Sequence, residues 1–376
     1  MRVIPVNFFR RMLEQIRDYF RNMNIILLIL TMLLIIVGII GIYSATYSGQ
    51  KVFFYKQLAW YGLGLVLMVV FANINYNIFM GIANQLYYFF CVLLALVLVF
   101  GHTSLGAQRW LKLPGFNLQP SEFMKLVLSF TIIRFIAVHQ KESFTIKNMF
   151  KMFGLIIVPM LLILKQPDLG TAILMVPVTL LIFYMGNMPW KKLTAIILIG
   201  LIIIPAGYHF LKDYQKQRIM IFLNPRIDPM GAGYNVIQSQ IAVGSGAGAG
   251  KGWLRGTQSQ LNFIPIKHTD FIFAVIAEEF GFMGGLVIIV LYLLLVMEGL
   301  NIVKLCRFLG GKMMASAITG IVFCQAIINI GMNIGLMPVT GITLPLLSYG
   351  GSSTLMVLMA LGILQNIYRE YMKAEG

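Results

Sequence analysis

Ionisable residues are scarce in this chain, and those that interrupt its apolar runs recur at the ends of those runs. Lys56 opens one run, Arg109 and Trp110 precede another, and "QPSEFMK" opens the latter with Glu122 and Lys125. "QPDLGT" brings Asp168 to the head of a later run, "HTDFIF" brings Asp270, and "LPLLSYGGSS" brings Ser348 and Tyr349. Charges at a hydrocarbon boundary are costly, and several converging on one side mark a substrate pathway. Each also has a simpler use. Pro120 and Pro167 suit a first helical turn, Ser121, Asp168 and Asp270 are capping types whose charge suits the helix dipole, and Glu122 and Lys125 can neutralise each other three residues apart. Glu278 and Glu279 lie about 12 Å into their run at the helical rise, and are expected to partner interior helices rather than to catalyse.

Composition dictates what must position these groups. Of 376 residues, 59% are hydrophobic and 11% charged, with a mean hydropathy of +0.84, which excludes an ordinary soluble domain. Bilayer-length apolar stretches fall at Ile25–Tyr43, Leu58–Ala72, Phe79–Phe100, Phe123–Val138 and Met152–Leu164. They continue at Ala172–Met185, Leu193–Tyr208, Phe271–Met297, Ala315–Leu336 and Leu355–Ile367. The expected fold is an all-α polytopic membrane protein of about ten transmembrane helices, a single membrane domain over residues 1–376. The first stretch exceeds a signal-peptide core and lacks a cleavage site, so it is expected to remain. Cys91, Cys306 and Cys324 show neither pairing nor metal-ligand spacing and read as packing residues.

With ten spans, the Arg2–Arg21 tail, Lys141, Lys147, Lys151, Lys191, Lys192, Lys304, Arg307, Lys312, Arg369 and Lys373 share one side. The positive-inside rule then places both termini in the cytoplasm, with residues 1–24 as a basic cytoplasmic tail. Residues 209–270 become a large extracytoplasmic loop between spans seven and eight, carrying Lys212, Lys216, Arg218, Arg226, Lys251, Arg255 and Lys267. This is either a solvated basic surface or an electrostatic basin for a polyanionic substrate, for which pyrophosphate-linked lipids fit. The glycine-dense stretch Gly231–Gly256, ending "VGSGAGAGKGWLRG", has no strand before it and no Ser or Thr after its Gly-Lys pair. It reads as tight turns packing a re-entrant loop rather than as a nucleotide site.

The run "NIGMNIGLMPVTGITLPLLSYGGSS" resembles the signature of the SEDS family of shape, elongation, division and sporulation proteins. "GAQRW", "QPSE", "QPDLGTA" and "HTDFIFAVIAEEFG" extend the resemblance over nearly the whole chain, and "GTQSQL" looks like the elongation branch (RodA type) more than the division branch (FtsW type). Two positions depart from the pattern: Ala247 stands where a second glycine is usual, and Ile266 where an acidic residue is usual. The resemblance implies a bacterial inner-membrane peptidoglycan glycosyltransferase that polymerises lipid II in cell elongation and shape maintenance. It implies as partners a class B penicillin-binding protein and the elongation proteins MreC and MreD; no nucleic acid is expected. The family's essential extracytoplasmic aspartate matches Asp270, and its polar cavity matches Glu122 and Lys125, with Arg109, Lys56 and Arg218 beside them.

Such a transfer inverts the anomeric centre, so one base suffices, and Asp270 is the expected base for the acceptor hydroxyl. Pyrophosphate leaves readily, unlike the leaving groups for which glycosidases need a second carboxylate. Its charge must still be neutralised by Lys125, Arg109, Lys56 and Arg218, or by a divalent cation, Mg or Mn, bridging substrate phosphate to one carboxylate. No dedicated metal site is expected. The alternatives are a flippase for the same lipid, a division-type polymerase and a non-catalytic scaffold. A flippase would spread polar groups along a whole path, whereas these gather at one mouth.

Overall fold

The computed structural model describes residues 22–49, 51–104, 107–113, 115–207, 213–231 and 233–375. Of the basic tail only residues 22–24 are among them, and Lys212 and Gly106 lie outside them. Every apolar run is helical, as expected where the backbone must satisfy its own polar groups. The order is α1 (Ile25–Thr46), α2 (Lys51–Asn73), α3 (Tyr76–Gly81), α4 (Ala83–Phe100), α5 (Pro120–His139), α6 (Ile146–Lys165), α7 (Leu169–Met185) and α8 (Trp190–Gly207). There follow α9 (Asp213–Leu223), α10 (Tyr234–Ser245), α11 (Thr257–Gln260), α12 (Ile272–Leu305), α13 (Leu309–Asn333) and α14 (Gly351–Glu375). Among the described residues seven helices, α1, α2, α4, α6, α12, α13 and α14, are long and apolar enough to cross a bilayer, and α7 is a shorter apolar helix. The chain is a multi-pass membrane protein.

Helices α13 and α14 form the buried centre, with Met314, Ile318, Met356 and Val357 inaccessible. α12 packs on α13 and α1, α13 on α7, and α2 along α14. The last contact depends on small residues: a Cβ on Gly64 would lie 2.3 Å from Leu358 Cδ1, and one on Gly362 would lie 2.5 Å from the Met68 carbonyl. Close backbone approach of this kind replaces the missing hydrophobic drive between helices in lipid. The peripheral α2, α4 and α8 turn Val66, Val99 and Ile202 outward.

Two features of the connections were not anticipated. Between α4 and α5 a small antiparallel sheet forms from β1 (His102–Ser104), β2 (Ala107–Leu113) and β3 (Phe116–Leu118), in the order β1-β2-β3. The 209–270 segment folds into α9, α10 and α11 instead of remaining loop. Its glycine-rich end lies against a break in α12, where Gly281 (φ 67°, ψ −160°) interrupts the helix. There Lys251 and Gly252 donate their N–H groups to the Glu278 and Glu279 carbonyls at 3.1 and 2.9 Å, and the Phe282 N–H donates to the Ala247 carbonyl at 2.8 Å. The loop thus satisfies groups that the kink frees, as the re-entrant reading required. A Cβ on Gly246 would lie 2.0 Å from the Ala277 carbonyl, so backbone contact explains the glycine there.

Candidate active site

Asp270 lies two residues before the start of α12 and is held by its backbone. Its carbonyl accepts hydrogen bonds from the side-chain amides of Asn329 and Asn333, each at 3.0 Å. These two asparagines are one turn apart on α13, and the Asn333 Oδ1 in turn accepts the Ala274 N–H at 3.2 Å in the first turn of α12. The signature loop locks the other side of the same strand of chain. Ser348 Oγ donates to the Thr269 carbonyl at 2.5 Å, and the Tyr349 N–H donates to the His268 carbonyl at 2.8 Å. His268 stacks on Phe53 at 4.6 Å, and burial together with Lys267 lowers its pKa to about 4, so it is neutral at physiological pH.

Arg109 comes from β2 and is buried. Its Nη1 lies 3.7 Å from Asp168 Oδ1, and its Nη2 donates to the Pro167 carbonyl. Asp168 is the N-cap of α7: it accepts the Thr171 N–H at 3.3 Å, and also Thr171 Oγ1, Ser121 Oγ and Gln119 Nε2 at 2.9, 3.1 and 3.2 Å. The capping use foreseen for Asp168 is therefore realised, and the same carboxylate joins the heads of α5 and α7 and steadies Arg109.

Arg109 and Asp270 then meet over Gly341. A Cβ on that glycine, which has φ +75°, would lie 3.5 Å from Arg109 Nη1 and 3.8 Å from Asp270 Oδ2. The missing side chain leaves open the space between a buried guanidinium and a carboxylate. Burial raises the Asp270 pKa from 3.8 to about 6; the Thr269 hydroxyl, Arg109 and Arg218 oppose that rise and Asp168 adds to it. Arg218, on α9, is thus electrostatically coupled to Asp270 across the loop.

Glu122 and Lys125 form the expected pair in the first turns of α5, with Lys125 Nζ 2.8 Å from Glu122 Oε2 and both side chains buried. Their helix is anchored at its head, where the Gln119 N–H donates to Ser352 Oγ at 2.9 Å. Lys56 stands apart, exposed on α2. Its neighbour Gln57 is buried instead, donating to Thr354 Oγ1 at 2.9 Å and accepting the Gly350 N–H at 3.1 Å. Sequence reasoning passed over Gln57 and the Asn329–Asn333 pair; two amides one turn apart in an apolar helix were the available signal.

Not every cation of the 209–270 segment faces a substrate. Lys251 Nζ is 2.8 Å from Glu278 Oε1, and the buried Lys267 donates to the Ser259 carbonyl and to Asn262 Oδ1. Both fasten the loop to itself or to α12. Glu278 also accepts the Gln258 and Ser259 N–H groups at 2.8 and 3.0 Å, and Glu279 accepts Ser44 Oγ at 2.5 Å, the structural roles expected of them.

Residues 21–373 match the FtsW/RodA/SpoVE cell cycle protein family. The chain belongs to that family. It is 42% identical over 344 residues to the peptidoglycan glycosyltransferase MrdB of Escherichia coli (strain K12), covering 90% of this chain and 92% of that one. It is 32% identical over 418 residues to the peptidoglycan glycosyltransferase RodA of Treponema pallidum (strain Nichols), with 91% and 96% covered. Among solved structures, a chain of a peptidoglycan synthase complex described as coordinating polymerization and crosslinking superimposes with a TM-score of 0.80 at 31% identity, covering 93% of this chain and 98% of that one. The rod shape determining protein RodA of Thermus thermophilus gives a TM-score of 0.69 at 28% identity, with 92% and 96% covered.

Proposed function

We infer that this protein is a peptidoglycan glycosyltransferase that polymerises lipid II into glycan strands during cell elongation. The observation that carries the reading is the convergence over Gly341, where Asp270 and Arg109 both approach the point a side chain would occupy and Asp270 has a pKa of about 6. A carboxylate of that basicity is largely ionised at neutral pH yet takes up a proton more readily than an exposed aspartate, which suits a general base for the acceptor hydroxyl. Arg109 and Arg218 are placed to balance charge as the pyrophosphate departs, with Lys125 held by Glu122 as a further cation. Lys56, exposed on α2 and apart from these groups, is assigned to the rim of the site.

Among the described residues no three His, Cys, Asp or Glu side chains come together in a way that could hold an ion. A divalent ion, Mg or Mn, would instead arrive with the substrate pyrophosphate. We place both termini in the cytoplasm, ten crossings in the bacterial inner membrane, residues 1–24 as a cytoplasmic tail and residues 209–270 outside, so that the site faces outward; the lysine-rich connections on the far side support this orientation. A class B penicillin-binding protein is the proposed crosslinking partner, with MreC and MreD as further members of the elongation assembly. The purified chain incubated with lipid II, in the absence of any other glycosyltransferase, should yield gel-resolved glycan polymer. Transport of labelled lipid across liposomes with no polymer would refute the enzyme in favour of a flippase.

A further inference from the structure

Two helices that start at the site end around a cavity. α5 runs from Pro120 to His139 and α7 from Leu169 to Met185, so their far ends lie roughly 25–30 Å away at the helical rise. Between those ends a cavity of ≈ 690 Å³ opens, lined by Ile136, Lys141, Phe144, Asn187, Lys192 and Met313 among others. Its lining contains two lysines and no Asp or Glu. Lys192 Nζ donates to the Phe144 carbonyl at 2.6 Å, which fixes the ammonium at the wall with two further N–H donors. Lys141 is exposed, and the lining also includes the apolar Ile136, Phe144 and Met313, all buried.

Two lining residues, Gln140 (φ 43°) and Asn187 (φ 61°), hold left-handed backbone without being glycine. Each such conformation costs roughly 1–2 kcal/mol, and strained backbone of this kind clusters at ligand sites.

We propose that this cavity binds the headgroup of an anionic phospholipid, with Lys141 and Lys192 on the phosphate and the Ile136–Met313 wall against the first acyl carbons. A free phosphate would fill a small part of the volume and leave the apolar wall unused. The site lies at the membrane face opposite Asp270, so it is separate from the polymerisation site. It falls in the cytoplasmic leaflet on the orientation proposed above, where anionic headgroups attract basic segments.

The test is native mass spectrometry of the full chain in neutral detergent with phosphatidylglycerol or phosphatidylcholine. Wild type should retain phosphatidylglycerol roughly tenfold better than phosphatidylcholine. Lys141→Gln with Lys192→Gln should remove most of that preference, and Ala137→Trp, which fills the cavity and leaves its charge, should lower retention of both lipids. Because Lys192 also ties down a backbone carbonyl, Lys141→Gln alone provides a variant that keeps that bond, and it should weaken the preference several-fold. Equal retention of the two lipids, or a preference untouched in Lys141→Gln and Ala137→Trp, would overturn the proposal. Binding of inorganic phosphate as tight as that of phosphatidylglycerol would mark a free-anion site and overturn it as well. Retention is read without lipid II, so a negative result leaves the glycosyltransferase reading standing.

Discussion

Three acidic residues stand within ten positions of one another at the head of α12, and their surroundings give them opposite uses. Glu278 is spent on the chain itself: Lys251, Thr257 and the Gln258 and Ser259 N–H groups all donate to its carboxylate. Glu279 likewise takes Ser44 and Gln260. At Asp270 the arrangement is reversed. The backbone carbonyl is clamped by two asparagines, while the carboxylate faces the open point over Gly341 with Arg109 and Arg218 acting on it through space. A buried acid surrounded by its own chain's donors holds structure, whereas one fixed by its backbone, with its carboxylate beside the space that Gly341 leaves, is free to exchange a proton.

The strongest challenge to that contrast is to remove the charge at each place. Asp270→Asn should lower polymerisation by at least ~10²-fold while the fold survives, because Asn329 and Asn333 hold the backbone carbonyl at this position, which the substitution keeps. Glu278→Gln should do the opposite, costing about 3 kcal/mol of stability by leaving Lys251 and the α11 turn without their anion, seen as a lower thermal midpoint in detergent. Next in size is the pH profile of polymerisation. With Asp270 titrating at about 6, the rate should be flat above pH 7 and fall as pH drops through 6; a profile flat down to pH 5 would separate Asp270 from catalysis.

The same raised pKa has a stability consequence. The stabilisation it represents is fully present below the unfolded pKa of about 3.9 and is lost as pH rises through about 6. Asp270→Asn should therefore be at least as stable as wild type at neutral pH. Glu122→Gln and Lys125→Met should each reduce polymerisation, with non-additive losses in the double variant because each removes the other's partner. The smallest expected effect is at Ala247, whose φ of 47° belongs to the left-handed region. Ala247→Gly should raise stability by about 0.5–1 kcal/mol in a thermal melt, since the glycine usual in the family relieves the strain.

The contrast also marks what the sequence could convey. Apolar length located every long helix, and the family motifs singled out Asp270, Glu122, Lys125 and Arg109 as candidates, because hydropathy and short motifs are local properties. The sheet carrying Arg109 escaped notice because its strands are three to seven residues long, although the Pro114–Gly115 pair was a turn signal. Composition grouped Lys251 and Lys267 with the other cations of the 209–270 segment, yet both are fasteners, a distinction that depends on Glu278 and on the Ser259 carbonyl coming near in space. Lys56 was legible as a charge at a helix head, but whether it or Gln57 turns inward depends on the register of α2 against α14. Gly341 carried no sequence signal beyond its place in a motif, since its role is the side chain it lacks.

The central claim, that Asp270 acts as the base and not as a brace, is tested most directly by comparing purified wild type with Asp270→Asn in glycan polymerisation from lipid II. Both should be assayed with the partner's transpeptidase disabled and every other glycosyltransferase excluded, with thermal midpoints measured on the same samples. The expected result is polymer from the wild type, none detectable from the variant, and a variant midpoint equal to or above that of the wild type. Equal product from both, at equal stability, would contradict the account.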